Sequence, residues 1–437
     1  MPNILVKKTI FRVYDLLWKA AIPVLRKNHR LAEGFAQRTL DQPCLMESDL
    51  WIQSASAGEA YLTWELLKRI STDETLKIML TTNTRQGMEI LLKAIEDDKI
   101  NHKHLIIRVA YFPFDRPAIV QKAVHLIQPR VMVLLETELW PGLLNKLKLS
   151  GCKVLIINGR ITRKSLSRYL IWPSLWYRLR PDRTLAISDE DADRFGRLFG
   201  SESVSVMSNI KFDRLDSEDQ IFSAKNTLDF FLPSPNNFLV LGSVRQEEED
   251  DVAQIISEIH NRQPETVIGL FPRHLHRIAH WQRILQHLGV PWRLRSDIKT
   301  QIPGGSVILW DVFGELGLAY TQANAAFVGG SLAPLGGQNF LEPLISGITP
   351  VIGPFWDNFK WVGKEIIDVG IVHQARSWKE VAEILIAAIM NPQPREKVRL
   401  RAKAYIKGRQ GGTDTACHVI EAYLKPEYRI SNEKEKG

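Results

Sequence analysis

Short, wholly apolar runs separated by amphipathic stretches are the dominant pattern along this chain. Leu50–Gln53, Lys77–Thr82, Val131–Leu135, Val154–Ile157 and Leu185–Ile187 read as strands, and Tyr61–Ile70 and Gly87–Ala94 between them as helices. Runs this apolar need cover on both faces, so the alternation predicts a parallel sheet between two helix layers. The pattern lapses into a charged connector at Lys211–Asp216. It then resumes with Phe238–Leu241, Val267–Phe271, Val307–Trp310, Ala325–Val328 and Pro350–Ile352. The economical reading is an α/β protein of two doubly wound domains, 41–213 and 214–437, behind an N-terminal segment of residues 1–40. Ligands in such sheets bind at the C-terminal strand ends, which puts the expected site in the cleft between the domains. No internal repeat or low-complexity segment interrupts the pattern.

The N-terminal segment has helical periodicity. Ile10, Phe11, Val13, Tyr14, Leu17, Trp18, Ala21, Val24 and Leu25 share one side of a wheel, and Lys8, Arg12, Asp15 and Lys19 the other, with Leu16 the exception. Through residue 40 eight Lys or Arg face only Asp15 and Glu33. A basic amphipathic helix of this kind, residues 4–30, can lie on an anionic membrane surface or pack on its own domain, and periodicity leaves both open. Pro23 is expected to kink or end it. At the other end, Pro394–Tyr405 reads as a basic helix with a solvated charged face.

Composition narrows the picture. With 437 residues, 45% hydrophobic and 24% charged, the chain has ample core for two domains. The net charge of +8 suggests an anionic partner. Cys44, Cys152 and Cys417 are too scattered for a disulfide framework or a zinc site. No apolar run reaches the ~18 residues of a membrane span, and no signal-peptide cleavage pattern is expected at the start.

Candidate chemistry gathers in three stretches. Ala326–Leu332 ends a buried strand in Gly329, Gly330 and Ser331; Gly336-Gly337-Gln338-Asn339 then leads into a helix at Phe340–Ser346 carrying Glu342. Free backbone N–H groups there, with Asn339 and Glu342, could converge on an anionic, hydroxyl-bearing ligand such as a nucleotide or nucleotide sugar. Ser54–Glu59 follows a strand and opens a helix, with Ser56 and Gly58 ahead of Glu59. A partly desolvated Glu59 would have the raised pKa of a general base, although taken in isolation a plain helix-initiating Glu is the more ordinary reading. Glu136 and Glu138 stand directly at the end of the apolar run Val131–Leu135, where unpaired acids are costly. Ser188 with Asp191 three residues on reads as a helix cap rather than a metal motif. No G-x-G-x-x-G, P-loop or H-E-x-x-H occurs, which weakens nicotinamide, ATPase and metalloprotease readings.

Several blocks in order carry a resemblance: Ser54–Glu59, Thr81–Thr84 with Gly87, Phe112–Asp115, Glu136–Pro141, Asn158–Arg160, Asn209–Asp213, Pro272–His274, Gly314–Leu316, Phe327–Leu332 and Asn339–Pro343. Together, over about residues 10 to 420, the chain resembles the 3-deoxy-D-manno-octulosonic acid (Kdo) transferases of lipopolysaccharide synthesis. The resemblance implies a GT-B fold, two Rossmann-like domains facing across a cleft. It implies inverting transfer of Kdo from CMP-Kdo to the lipid A precursor (lipid IVA) at the cytoplasmic face of the bacterial inner membrane, with no cofactor, no metal and no nucleic acid. Carried over by motif, Glu59 would be the general base. Arg273 and His274 would hold the CMP phosphate and base region, Gly329, Gly330 and Ser331 would line the nucleotide pocket, and Asn339 with Glu342 would contact the ribose. Glu136, Glu138, Lys211, Gly314 and Glu315 belong to matching motifs near the cleft.

The chain departs from the family pattern in three places. Ser208 stands where the family usually has Gly, Gln338 where it has His, and Ser243–Glu249 where it has S-T-H-x-G-E-E, so no role is assigned to that loop. Two alternatives stay open: another nucleotide-sugar transferase or epimerase of the same fold, and a non-catalytic basic membrane-binding protein.

Overall fold

The computed structural model describes residues 2–72, 74–101, 104–215, 228, 232 and 237–425, and the side chains of these outside 2–10, 29–30 and 101. Fourteen strands are found among the described residues: β1 (Leu50–Ser54), β2 (Leu76–Thr82), β3 (Leu105–Tyr111), β4 (Val131–Leu135), β5 (Lys153–Gly159), β6 (Arg183–Ala186), β7 (Val204–Val206), β8 (Phe238–Val244), β9 (Val267–Pro272), β10 (Trp292–Leu294), β11 (Val307–Leu309), β12 (Ala325–Val328), β13 (Pro350–Ile352) and β14 (His373–Gln374). They form two parallel sheets of seven, ordered β3-β2-β1-β4-β5-β6-β7 and β10-β11-β9-β8-β12-β13-β14.

Each sheet is covered on both faces, as its apolar runs require. In β4, Val131, Val133 and Leu135 enter one core cluster while Met132 and Leu134 enter the other. In β12, Ala325 and Phe327 face one layer and Ala326 the opposite one. Each Val, Leu, Met or Phe side chain among these, fully withdrawn from water, contributes about 1.5–3 kcal/mol relative to exposure. The chain leaves the first strand of each sheet to one side and later returns to its other side. This creates a switch point between β1 and β4, and another between β8 and β12.

The domain limits differ from the expected cut at residue 213. One compact unit holds the chain up to Leu215 together with the chain from Arg409, and the other runs from Asp216 to Gly408. The final helix, Gly412–Leu424, belongs to the first unit because its inner face, Ala416, Cys417 and Ile420, completes the core over Leu62, Leu66 and β4. Asp213 fastens its start, accepting from Gly411 N at 2.7 Å and from Thr413 N and Oγ1 at 2.6 Å each. Gly412 lies so close to the Ser208 carbonyl that a Cβ would stand 2.2 Å from its oxygen.

The first helix, Pro2–Leu25, continues for two residues past Pro23. Its expected single apolar face is divided. Phe11, Trp18, Ile22 and Leu25 pack on the first unit's core, Tyr14 donates to Asp115 at 2.8 Å, and Asp15 pairs with Arg116 at 3.0 Å. Val13, Leu16, Leu17 and Val24 remain exposed, flanked by Arg12, Lys19, Arg26 and Lys27. The side chains of Lys7, Lys8, Ile10 and Arg30 lie outside the described residues. No helix among the described residues is long and apolar enough to cross a membrane.

The basic helix near the C-terminus, Arg395–Lys407, is not simply solvated. Arg395 donates to the carbonyls of Tyr320, Ala323 and Ser346, and Arg401 to that of Val369. Guanidinium groups there satisfy carbonyls that end neighbouring helices.

Candidate functional site

In the first unit the candidates gather at the C-terminal ends of β1 and β4, the switch point of its sheet. Ser56 caps the helix Ala57–Arg69, accepting from Glu59 N at 3.4 Å. The Glu59 carboxylate turns back over the cap, accepting from Ala55 N at 2.7 Å and Ser56 Oγ at 3.0 Å. It is 8% exposed. Burial, reinforced by the charges of Glu138 and Glu136, pushes its pKa up to about 8, against the pull of those two hydrogen bonds. Gly58 opens onto space, with only Ser56 Oγ within reach of a Cβ position, at 3.8 Å.

Glu138 is raised by burial too, and accepts from Trp140 Nε1 at 2.8 Å. Glu136 takes a left-handed backbone, φ 52°, and pairs with Lys211 at 2.7 Å. Two acids at the end of a buried strand are thus each partnered, while Glu59 sits beside their negative charge. A carboxylate held this way accepts a proton near neutral pH more readily than an ordinary glutamate.

Sequence reasoning named Thr81, Asn83 and Asp115 within matching blocks but gave them no role, and it missed Trp51, Gln53 and Arg38, which with Thr81 and Asn83 form a polar chain leading to Glu138. Trp51 Nε1 donates to Thr81 Oγ1 at 2.8 Å, Thr81 to Gln53 Oε1 at 2.6 Å, and Gln53 Nε2 to Asn83 at 3.3 Å. Asn83 in turn reaches Glu138 at 3.5 Å. The buried Arg38 donates to Asn83 O at 2.9 Å and stacks 4.6 Å over Tyr111. Asp115, 1% exposed, accepts from Gly142 N and Leu143 N at the start of the helix Pro141–Ser150 and is pushed by burial to about 7. A polar residue inside a strand, as Gln53 and Thr81 are, was the available signal. Ser188 is the helix cap expected, accepting from Asp191 N at 3.1 Å.

In the second unit the candidates lie at the C-terminal ends of β9, β8 and β12, again around the switch point. The Gly-Gly turn is present, with Gly330 left-handed at φ 68°. Its backbone donors are not free, contrary to expectation. The buried Glu248 carboxylate accepts from Gly330 N at 2.5 Å and from Ser331 N and Leu332 N at 3.2 Å each. A Cβ at Gly329 would meet Glu248 Oε1 at 2.5 Å and the Ser243 carbonyl at 2.6 Å. Ser331 is wholly buried and spends its hydroxyl on Val328 O and Gly353 N.

Positive charge comes instead from the arginine side chains Arg245 and Arg273. Arg273 and His274 follow β9 and are exposed. Partial burial and the neighbouring Arg245, His276 and Arg273 lower the His274 pKa. Arg245 lies beside the turn, its Cγ 3.5 Å from a Cβ position on Gly330. The loop given no role in the sequence therefore supplies both an arginine to this cluster and the acid that closes the glycine turn. Asn339 Nδ2 donates to Glu342 Oε1 at 2.8 Å, so these two half-buried residues form one polar pair entering the short helix Leu341–Ile345. Glu315 is committed elsewhere: Arg295 grips it through two bonds of 2.9 and 3.1 Å, and Trp310 Nε1 donates to it at 2.9 Å. Gly314 beside it is left-handed at φ 87° with open space around its Cβ position. Among the described residues no three His, Cys, Asp or Glu side chains are grouped to hold a metal.

Residues 26–214 match the family model described as 3-deoxy-D-manno-octulosonic-acid transferase (kdotransferase). A 3-deoxy-D-manno-octulosonic acid transferase of Haemophilus influenzae is 26% identical over 92% of this chain and 92% of its own length. One from Bordetella pertussis is 26% identical over 87% and 89%. A bifunctional glycosyltransferase/methyltransferase of Fusobacterium nucleatum is 28% identical over 85% of this chain, which spans 58% of that longer protein. Among solved structures, a glycosyltransferase from Rickettsia africae superposes with a TM-score of 0.56 at 9% identity, covering 87% of this chain and 99% of its own. UDP-GlcNAc 2-epimerase from Neisseria meningitidis gives 0.54 at 13%, over 86% and 99%. The two parallel sheets and these likenesses make the fold a two-domain α/β GT-B fold.

Proposed function

Because the chain belongs to the Kdo transferase family, we propose that it transfers Kdo from CMP-Kdo to a lipid A precursor in lipopolysaccharide biosynthesis, with inversion at the anomeric carbon. The observation that carries the chemistry is Glu59: a buried carboxylate, raised to about 8, at the switch point of the first sheet. It takes the proton of the acceptor hydroxyl as that oxygen bonds to the anomeric carbon of Kdo. The bond from that carbon to the CMP phosphate breaks, and its electron pair leaves with the phosphate. One carboxylate suffices for inversion, since no covalent sugar intermediate is formed.

Arg245, Arg273 and His274 are the groups for the charge growing on the departing phosphate, and arginine suits phosphate through its fork of N–H donors. Asn339 and Glu342 present the polar atoms for the ribose hydroxyls. Gly329, Gly330 and Ser331, rigidified by Glu248, form a floor rather than an anion cradle. The charge on the leaving group is met by protein cations, so the reaction is proposed to need no metal. The exposed stripe Val13, Leu16, Leu17 and Val24, with its flanking Arg and Lys residues, supports peripheral attachment to the cytoplasmic face of the bacterial inner membrane.

Incubation with CMP-Kdo generated in situ and lipid A precursor, followed by mass analysis, tests the reading. Addition of Kdo to the acceptor is expected. Glu59→Ala should abolish the product and leave CMP binding intact; near-normal turnover by that variant would remove Glu59 from the role of base.

A further inference from the structure

Beyond the first helix, the structure exposes a second apolar surface with basic side chains beside it. After β5 the chain forms the helices Arg163–Tyr169 and Pro173–Arg178, joined by a tight turn. Their inner faces are fixed: Leu166, Trp176 and Leu179 are buried, and the rings of Tyr169 and Trp176 meet edge to face at 4.9 Å. The turn is therefore held outward rather than folded over the core. At its tip Ile171 is 71% exposed, Trp172 51% and, one helical turn on, Tyr177 49%.

Along the chain the charge of this segment is one-sided, while the helix Asp189–Phe199 packed against both helices carries the exposed acids Asp189, Glu190 and Asp193. From Thr162 to Pro181 the sequence has Arg163, Lys164, Arg168, Arg178 and Arg180 and no acidic residue. Arg163, Lys164, Arg168 and Arg178 are exposed and form no ion pair among the described residues, while Arg180 stacks 4.4 Å over the Tyr177 ring. A protruding Ile-Trp tip among basic side chains of its own segment matches a surface that is apolar at depth and anionic at its face. Tryptophan and tyrosine favour the headgroup level of a bilayer, and Lys or Arg beside them are drawn to anionic lipid.

We propose that the turn between Arg163 and Arg180 is a second membrane-seating element, which docks on an anionic lipid bilayer independently of the first helix. Its inner residues Leu166, Tyr169 and Trp176 join the same core cluster as Leu139 and Trp140, which follow Glu138 in the chain. Seating this turn in the headgroup layer fixes the height of Glu59 relative to a lipid acceptor. That consequence rests on the proposed function, whereas the docking itself does not.

The test is flotation of the full chain with vesicles of mixed phosphatidylglycerol and phosphatidylcholine, compared with phosphatidylcholine alone, without donor or acceptor. Ile171→Ser combined with Trp172→Ser, and separately Arg163→Gln with Lys164→Gln and Arg168→Gln, should each weaken binding to the mixed vesicles by about tenfold or more. Native binding should fall with added salt. Transfer to a water-soluble, deacylated acceptor should be unchanged in both variants, and transfer to acceptor embedded in vesicles reduced. Variants that float like the native chain, or native binding indifferent to lipid charge, would overturn the proposal. So would self-association of the native chain that the substitutions abolish, because the surface would then belong to a second copy. Should a variant fail to fold, an environment-sensitive fluorophore on Trp172→Cys must still shift to the blue on mixed vesicles; an unchanged spectrum counts against the element. Absence of Kdo transfer to any acceptor would refute the proposed reaction and leave the vesicle result standing.

Discussion

The Glu248 carboxylate, beyond β8, accepts the backbone N–H of Gly330, beyond β12, at 2.5 Å, and with the two N–H groups that follow it closes the turn where an anion had been expected. Removing this acid leaves buried donors without partners, which costs about 1–3 kcal/mol for each. Glu248→Ala is expected to lower the urea midpoint and weaken CMP binding together. Glu248→Gln should do nearly as much harm, because its amide NH₂ would face a backbone donor. Denaturant titration of both variants, with calorimetric CMP binding, checks this.

Glu59 gives a pH signature. Its protonated form cannot act as base, so the transfer rate should rise with pH up to about 8 and then level off. Glu59→Gln should lose roughly 10²–10⁴-fold in rate and lose that rise. Stability runs the other way. From the ordinary 4.5 up to about 8 the folded chain keeps the proton that the unfolded chain releases, so native stability falls as pH rises through this window. The Gln variant, neutral throughout, should gain stability relative to native as pH increases; parallel pH series of urea melts measure it.

Arg245 carries a prediction for the donor. Arg245→Ala and Arg273→Ala should each weaken CMP binding by about tenfold, the loss of one charge-assisted hydrogen bond to phosphate. Transfer should survive a chelator at undiminished rate. A reaction silenced by EDTA and restored by a divalent cation would show that side-chain cations are not enough.

Asp213 secures the last helix to the first domain. Asp213→Ala removes three hydrogen bonds at its start and should destabilise that domain by about 2–4 kcal/mol. Amide exchange over Gly412–Leu424 should accelerate while CMP binding stays as in the native chain.

The fold was legible in the sequence to a definite depth. The ten apolar runs identified as strands are the ten inner strands of the two sheets, and the four overlooked, β3, β7, β10 and β14, are the four edges. An inner parallel strand is covered on both faces and is apolar wherever its side chains lack a hydrogen-bond partner. An edge strand is not, and β3 shows it, with Ile106 and Arg108 exposed between partly covered neighbours. The final helix was misassigned for a related reason. Its apolar face states that it packs, and only contact with Leu66 and Asp213 states where.

The same division runs through the candidate site. Glu59 could be read from a cap, a small-residue loop and a helix start, all within six residues of chain. By itself the sequence determined the α/β class and the inner strands, and it placed an acid in the first turn of the helix Ala57–Arg69 and an arginine and a histidine after β9, because each depends on local periodicity or on residues adjacent in the chain. Tertiary structure alone decided that Glu248 fills the Gly330 turn from 82 residues away, that Arg245 joins the cationic cluster, that Glu315 is held by Arg295, and that Glu59 lies beside Glu138. Charge and hydrogen-bond partners act through space, and spacing along the chain does not encode which distant groups burial brings together.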